Sequence, residues 1–312
     1  MKNLRIKERL GILREFLYSG VSLNRRLDLV DAKLRLLLDE TVDIRHLKPA
    51  AGSLRLRQEI CLQILRIVDA IARRNRIRHW LMYGTLLGAV RHEGFIPWDD
   101  DLDVGVFQDD YEQLADVLRK ELPDCLKLWY WKTSDEKLDG NIHVREPVSG
   151  TYIDVFSFFR VPGAANANGA KTEWRKRFES VFASMSAVVG RDGFNKNVEH
   201  SIEDWWRDNR TGDGDTAGIV QSMTCLLVSP KPYNTLPEDD VFPLSERVFE
   251  GCEFPVPARP DAVLDLLYDA VDRFPNDAGK PFHADHARPV TAAQLRSILD
   301  ELTIAANEQV HR

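Results

Sequence analysis

Four aspartates, Asp99, Asp100, Asp101 and Asp103, fall within five positions, and the last two open the run Asp101-Leu102-Asp103-Val104-Gly105-Val106. Its period-two alternation predicts a strand with Asp101 and Asp103 on one face and Leu102, Val104 and Val106 on the other. Two ionised carboxylates about 7 Å apart along a strand repel each other, and a cation between them removes that cost. Hard oxygen ligands favour Mg²⁺ or Mn²⁺ over zinc. Asp99 and Asp100 follow Pro97-Trp98 in a loop and are expected to support that loop rather than to ligate directly. Upstream, Gly84-Thr85 is expected to open a short helix, where backbone N–H groups, a hydroxyl and the helix dipole favour an anion such as phosphate. An ordinary helix cap is the other reading of that threonine. A third carboxylate, Asp154, stands in the apolar run Tyr152-Ile153-Asp154-Val155-Phe156. Charge in such a strand needs a partner, either the same cation or a structural hydrogen bond.

The elements that must position these residues follow from hydrophobic periodicity. A helix is expected from about Ser53 to Arg74, with Ile60, Ile64, Ile67, Val68 and Ile71 on one face. The apolar stretch His79-Trp80-Leu81-Met82-Tyr83 reads as a strand, and Leu86 to Val90 as a short helix. A turn-rich loop covers Arg91 to Asp100, and a helix runs from about Asp109 to Leu122. Further strands are expected at Leu126 to Trp131, Asn141 to Arg145 and Thr151 to Phe159. Helices are expected near 172–187, 202–208 and 261–271. A last helix should begin at Thr291, where Thr291 and Gln294 have capping-box spacing, and carry Leu295, Ile298, Leu299 and Leu302 inward. Strands and helices in this alternation predict an α+β or α/β fold, a sheet with helices covering one face. Residues 1–50 read as an N-terminal helical hairpin around Ser19-Gly20. One stripe is Ile6, Leu10, Leu13 and Leu17, and a coiled-coil-like one is Leu23, Leu27, Val30, Leu34 and Leu37. This hairpin is expected either to pack on the host domain or to act as a homo-oligomer or partner arm. The expected organisation is therefore 1–50 hairpin, 51–160 catalytic core, and 161–312 a mostly helical part completing the cleft.

Composition narrows the function classes. Of 312 residues, 44% are hydrophobic and 29% charged, with 42 Lys+Arg against 49 Asp+Glu and a net charge of −7. That is a globular chain with material for a core, and it lacks the basic footprint of a nucleic-acid binder. No apolar stretch approaches the roughly 20 residues of a transmembrane helix, and the N-terminus does not read as a signal peptide. The expected location is the cytoplasm, free or at the inner face of the membrane. Cys61, Cys125, Cys225 and Cys252 are too scattered for a zinc site and read as buried free thiols.

Tyr83-Gly84-Thr85-Leu86-Leu87-Gly88-Ala89-Val90-Arg91-His92, followed by Gly94-Phe95-Ile96-Pro97-Trp98-Asp99-Asp100-Asp101-Leu102-Asp103-Val104, resembles the signature of the LicD family. That family lies in the nucleotidyltransferase-fold superfamily and includes bacterial phosphocholine transferases and the eukaryotic fukutin-related proteins. The resemblance extends upstream to Gln58, downstream through Asp154, and weakly into Phe249-Glu250-Gly251, Pro257, Leu264, Leu267-Tyr268 and His286. The family's I-D-I-F-P-L reads Ile153-Asp154-Val155-Phe156-Ser157-Phe158 here. Its usual glycine after Tyr268 is Asp269, and the cysteines of the fukutin-related zinc insertion are absent.

The resemblance implies a nucleotidyltransferase-like mixed sheet and a LicD-like phosphotransferase. The implied reaction moves a phospho-alcohol group from a CDP-linked donor to a sugar hydroxyl of a surface glycan such as lipopolysaccharide, releasing CMP. Transfer of a nucleoside monophosphate with pyrophosphate release is the alternative. Under either reading Asp101 and Asp103 are expected to hold Mg²⁺ or Mn²⁺, with Asp154 as a further ligand or as acceptor of the hydroxyl proton. Gly84 and Thr85 would hold a phosphate. Arg91 is a cationic clamp or a helix C-cap. His92 is a loop hydrogen bonder near the donor, and Trp98 stacks on a base or sugar or wedges the loop. His283-Ala284-Asp285-His286, Gly212-Asp213-Gly214-Asp215 and the tryptophans Trp129, Trp131, Trp205 and Trp206 are weaker candidates for a metal, for calcium and for a carbohydrate groove.

Overall fold

A computed structural model describes residues 42–132, 138–162, 217–221, 236–268, 270–274 and 289–312. The expected N-terminal hairpin, the helices near 172–187 and 202–208, and the His283 and Gly212 clusters lie outside these residues, as do Trp205 and Trp206. Of the described residues, those within 48–271 and 289–312 belong to one compact unit and 42–47 with 272–274 to another. The central sheet, its helices and the acidic residues all belong to the larger unit.

Helix α1 (Gly52–Arg74) buries Ile60, Cys61, Ile64, Leu65, Ile67, Val68, Ile71 and Ala72 completely, the stripe its 3.6-residue period requires. It ends where Arg76 takes a left-handed φ of 58° and Ile77 N–H bonds back to Ala72 O at 2.9 Å. The central sheet comprises β1 (His79–Leu81), β2 (Asp103–Phe107), β3 (Lys127–Lys132), β4 (Leu138–Arg145), β5 (Tyr152–Pro162), β6 (Ala217–Gln221) and β7 (Leu236–Pro237). Its order is β1-β2-β5-β4-β3, with β6 joining the far half of β5 and β7 joining β6. Among the described strands of this sheet, β2 and β5 pair in parallel and the other pairs are antiparallel. This is the mixed sheet of an α+β protein, as the sequence predicted.

Between the strands lie α2 (Tyr83–Arg91) and α3 (Gln108–Glu121). Beyond the sheet come α4 (Glu238–Val241), the hairpin β8 (Ser245–Phe249) and β9 (Cys252–Val256), α5 (Pro260–Leu267) and α6 (Ala292–Val310). Helix α6 opens with the expected Thr291–Gln294 capping box, buries Leu295 and Leu302 fully and packs against α1. The boundary placed at residue 160 falls inside β5. Among the described residues, 161–312 contribute strands β6 to β9 as well as helices. No helix among them is long and apolar enough to cross a membrane. Cys61, Cys125 and Cys252 are free.

Two sequence expectations shift locally. The strand read over His79 to Tyr83 stops at Leu81, because Met82 becomes the extended N-cap of α2 and Tyr83 already turns with φ 47°. The strand read from Asp101 starts at Asp103, where pairing with β5 begins.

The loop between α2 and β2 is braced from outside. Glu250, at the turn of the β8–β9 hairpin, accepts from Phe95 N–H at 3.1 Å and pairs with Arg55 at 2.7 Å, while its own N–H donates to Glu93 O at 2.8 Å. Gly88 permits the same closure: a Cβ there would stand 2.5 Å from Gly94 O. Buried Gln58 donates from Nε2 to Ile96 O at 3.3 Å and Asp99 O at 2.8 Å. Replacing Glu250 by alanine removes the acceptor of both Arg55 Nη donors, leaving that guanidinium with Glu59 alone, and the acceptor of the Phe95 N–H. We expect a loss of about 2 kcal/mol in urea unfolding and faster proteolysis within residues 91–100; unchanged values for both would show the brace to be incidental.

Candidate active site

The floor of the site is set by strand register. Parallel pairing of β2 with β5 places Asp103 opposite Asp154, and Asp154 N–H donates to Leu102 O at 2.8 Å. Asp101 lies just before β2, so it does not share a strand face with Asp103 as the alternation implied. The loop carries it closer instead. One carboxylate oxygen from each of Asp101, Asp103 and Asp154 lies within 4.8 Å of the others, and Asp99, Asp100 and Asp101 form a second such group. Asp99 and Asp100 thus come nearer the centre than a merely supporting loop requires.

The start of α2 is built around these acids. Thr85 is buried and its Oγ1 accepts from Asp103 N–H at 2.7 Å, while Gly84 N–H donates to the Asp103 side chain. A Cβ on Gly84 would meet Asp99 Oδ2 at 2.8 Å, so the glycine lets that carboxylate lie against the turn, and a side chain there would push it aside. The glycine–threonine turn therefore holds Asp103 directly, a contact the reading as a phosphate cradle did not include.

Like charge dominates the electrostatics. Burial, followed by the charges of Asp101, Asp154 and Asp99, pushes Asp103 well above the usual carboxylate range. Asp99 is raised in the same way by burial and then by Asp101 and Asp100. Tyr268, in the segment after α5, is raised by burial and by Asp103, Asp99 and Asp101, with Arg91 acting in the opposite direction. Tyr152 is raised by burial and by Asp154, Asp101 and Asp100. Both tyrosines thus feel the charge of the acidic centre.

The residues at the far end of α2 form a separate group. Arg91 donates to Val271 O at 2.6 Å and to His92 Nδ1 at 3.3 Å, and its guanidinium stands 6.0 Å from the Trp98 ring. His92 N–H closes the helix on Gly88 O at 2.9 Å. Trp98 is half-buried and packs on the core, the wedge reading of that residue. Sequence reasoning did not single out His143, whose Nε2 stands 2.8 Å from Asp154 Oδ1. The pair meets the distance of an ion pair but not the alignment of a hydrogen bond, so buried Oδ1 takes no hydrogen bond.

These features fit a divalent cation. The three carboxylates are hard donors, and one oxygen of each lies within 4.8 Å of the others, near enough for a single hard cation to be held among them.

Residues 76–185 match the family model described as LicD/FKTN/FKRP, nucleotidyltransferase domain. Over that segment the chain is similar to the LicD family. It is 48% identical over 69 residues to "Lipopolysaccharide cholinephosphotransferase LicD" of Haemophilus influenzae, covering 22% of this chain and 26% of that protein. It is 45% identical over 56 residues to "Uncharacterized protein RP689" of Rickettsia prowazekii, covering 18% and 21%. It is 39% identical over 57 residues to "Ribitol 5-phosphate transferase FKRP" of Homo sapiens, covering 18% and 11%. The chain thus spans about a quarter or less of the length of these relatives.

The raised acids give the domain a pH signature. Above the ordinary Asp value of 3.8 the metal-free fold keeps protons that the unfolded chain has lost, so stability falls as pH rises through the raised values. Asp103→Asn removes that term. In metal-free buffer its melting temperature should exceed wild type by a margin that grows from about pH 4 to about pH 7; a constant or reversed difference would refute the repulsion.

Proposed function

We propose that this protein is a metal-dependent LicD-like phosphotransferase, moving a phospho-alcohol group from a CDP-linked donor to a sugar hydroxyl of a surface glycan with release of CMP. The observation that carries the reading is the convergence of Asp101, Asp103 and Asp154 within 4.8 Å inside a domain shared with relatives named for cholinephosphate and ribitol 5-phosphate transfer.

Asp101, Asp103 and Asp154 are the residues that would hold Mg²⁺ or Mn²⁺, and such an ion would supply charge neutralisation at the diphosphate oxygens. Asp103 is fixed for this by Thr85 at its backbone and Gly84 at its side chain. Asp154 receives the proton of the acceptor hydroxyl. The new bond joins that oxygen to the phosphorus of the phospho-alcohol, the bond from phosphorus to the CMP oxygen breaks, and CMP leaves carrying the electron pair. Tyr268 stays protonated beside the carboxylates and can donate to a phosphate oxygen. Arg91 sits apart at the end of α2, where its charge still acts on Tyr268.

Incubation with Mg²⁺, sugar acceptors and CDP-choline, CDP-ribitol or CDP-glycerol, followed by mass spectrometry, should yield CMP. Pyrophosphate from a nucleoside triphosphate, with no CMP from any CDP-alcohol, would favour nucleotidyl transfer instead. Asp154→Ala should slow CMP release by about 100-fold or more while leaving the melting temperature within a few degrees; near-normal turnover would reduce Asp154 to a structural role.

A further inference from the structure

Strand register lays one row of residues across four strands: Trp129 on β3 faces His143 on β4, His143 faces Asp154 on β5, and Asp154 faces Asp103 on β2. The His143 ring is held by aromatic neighbours from the strands on either side of β4. The Trp129 ring lies at 4.8 Å and 41°, and the Tyr152 ring is stacked at 4.7 Å and 12°. Arg145 continues the stack, 5.0 Å from the Tyr152 ring. An imidazole gripped on its faces has only its edge free to act, and that edge brings Nε2 to 2.8 Å from Asp154 Oδ1.

We propose that His143 is a positioning residue for Asp154, fixing the plane of its carboxylate from the β4 side. The proposal rests on the reading of Asp101, Asp103 and Asp154 as the cation centre. One observation and two general points favour it over a packing role. Asp154 Oδ1 is buried and takes no hydrogen bond other than what this nitrogen can supply. The last torsion of an aspartate is soft, so a small carboxylate rotation brings the pair into line. Without an outer partner Asp154 could turn away from Asp103, and partners of this kind hold ligating carboxylates in the orientation a metal needs.

The test separates the nitrogen from the ring. His143→Phe keeps an aromatic disc between Trp129 and Tyr152 but has no nitrogen. His143→Gln loses the disc but keeps an amide N–H at about the reach of Nε2. Mn²⁺ alone, followed by electron paramagnetic resonance, reads affinity without any donor; CMP release from CDP-choline reads kcat and donor KM separately. Circular dichroism melts check that each variant is folded.

The expected result is about a tenfold or greater loss of Mn²⁺ affinity in His143→Phe, a comparable fall in kcat with donor KM within twofold, and substantial recovery in His143→Gln. Wild-type Mn²⁺ affinity and kcat in folded His143→Phe would overturn the proposal, as would equal impairment of both variants. If wild type releases no CMP from any CDP-alcohol, the function proposed above fails; the Mn²⁺ comparison still decides the role of His143.

Discussion

The fold brings together acidic groups that repel one another. Asp103 and Asp154 are opposed by parallel pairing of β2 with β5, and a loop adds Asp101 to the same spot. Burial and like charge both disfavour ionisation there. A sheet does not hold such a centre for its own stability. Much of the surrounding structure serves to keep the acids in place: Thr85 on the backbone of Asp103, Gly84 making room for Asp99, and Gln58 holding the backbone of Asp99 from α1.

The bracing reaches far along the chain. The turn of the β8–β9 hairpin grips the loop before β2 through Glu250, which also binds Arg55 on α1. Residues near positions 55, 95 and 250 thus form one clamp around the segment that delivers Asp99, Asp100 and Asp101. The short motif Phe249-Glu250-Gly251 acquires a physical reason in this arrangement: Glu250 takes φ 51° at the turn and Gly251 takes φ 77°, and the reversal aims the carboxylate at the loop.

What was legible in the sequence was whatever repeats at a fixed period or sits in one contiguous stretch. Helix α1, the α6 capping box and the acidic run could be read because neighbours in sequence are neighbours in space there. Alternation also misled, since Asp101-Leu102-Asp103 has the pattern of a strand while Asp101 stands outside β2. Its carboxylate reaches the centre by loop geometry that no period encodes. His143 was unreadable as a site element, and Glu250 visible only as part of a motif, for a different reason. Each meets its partner only through pairing between distant segments, and a lone histidine or glutamate carries no local mark of that. Tyr268 could be noticed through its motif, but its place beside the acids depends on how the segment after α5 packs.

The role of the acidic centre turns on whether its carboxylates hold a cation. Crystals soaked in Mn²⁺ and measured for anomalous scattering test this directly. The expected result is a strong peak bonded to oxygens of Asp101, Asp103 and Asp154, lost when Asp103 is replaced by asparagine. Mn²⁺ bound elsewhere on the protein, with no peak among these three side chains, would contradict it.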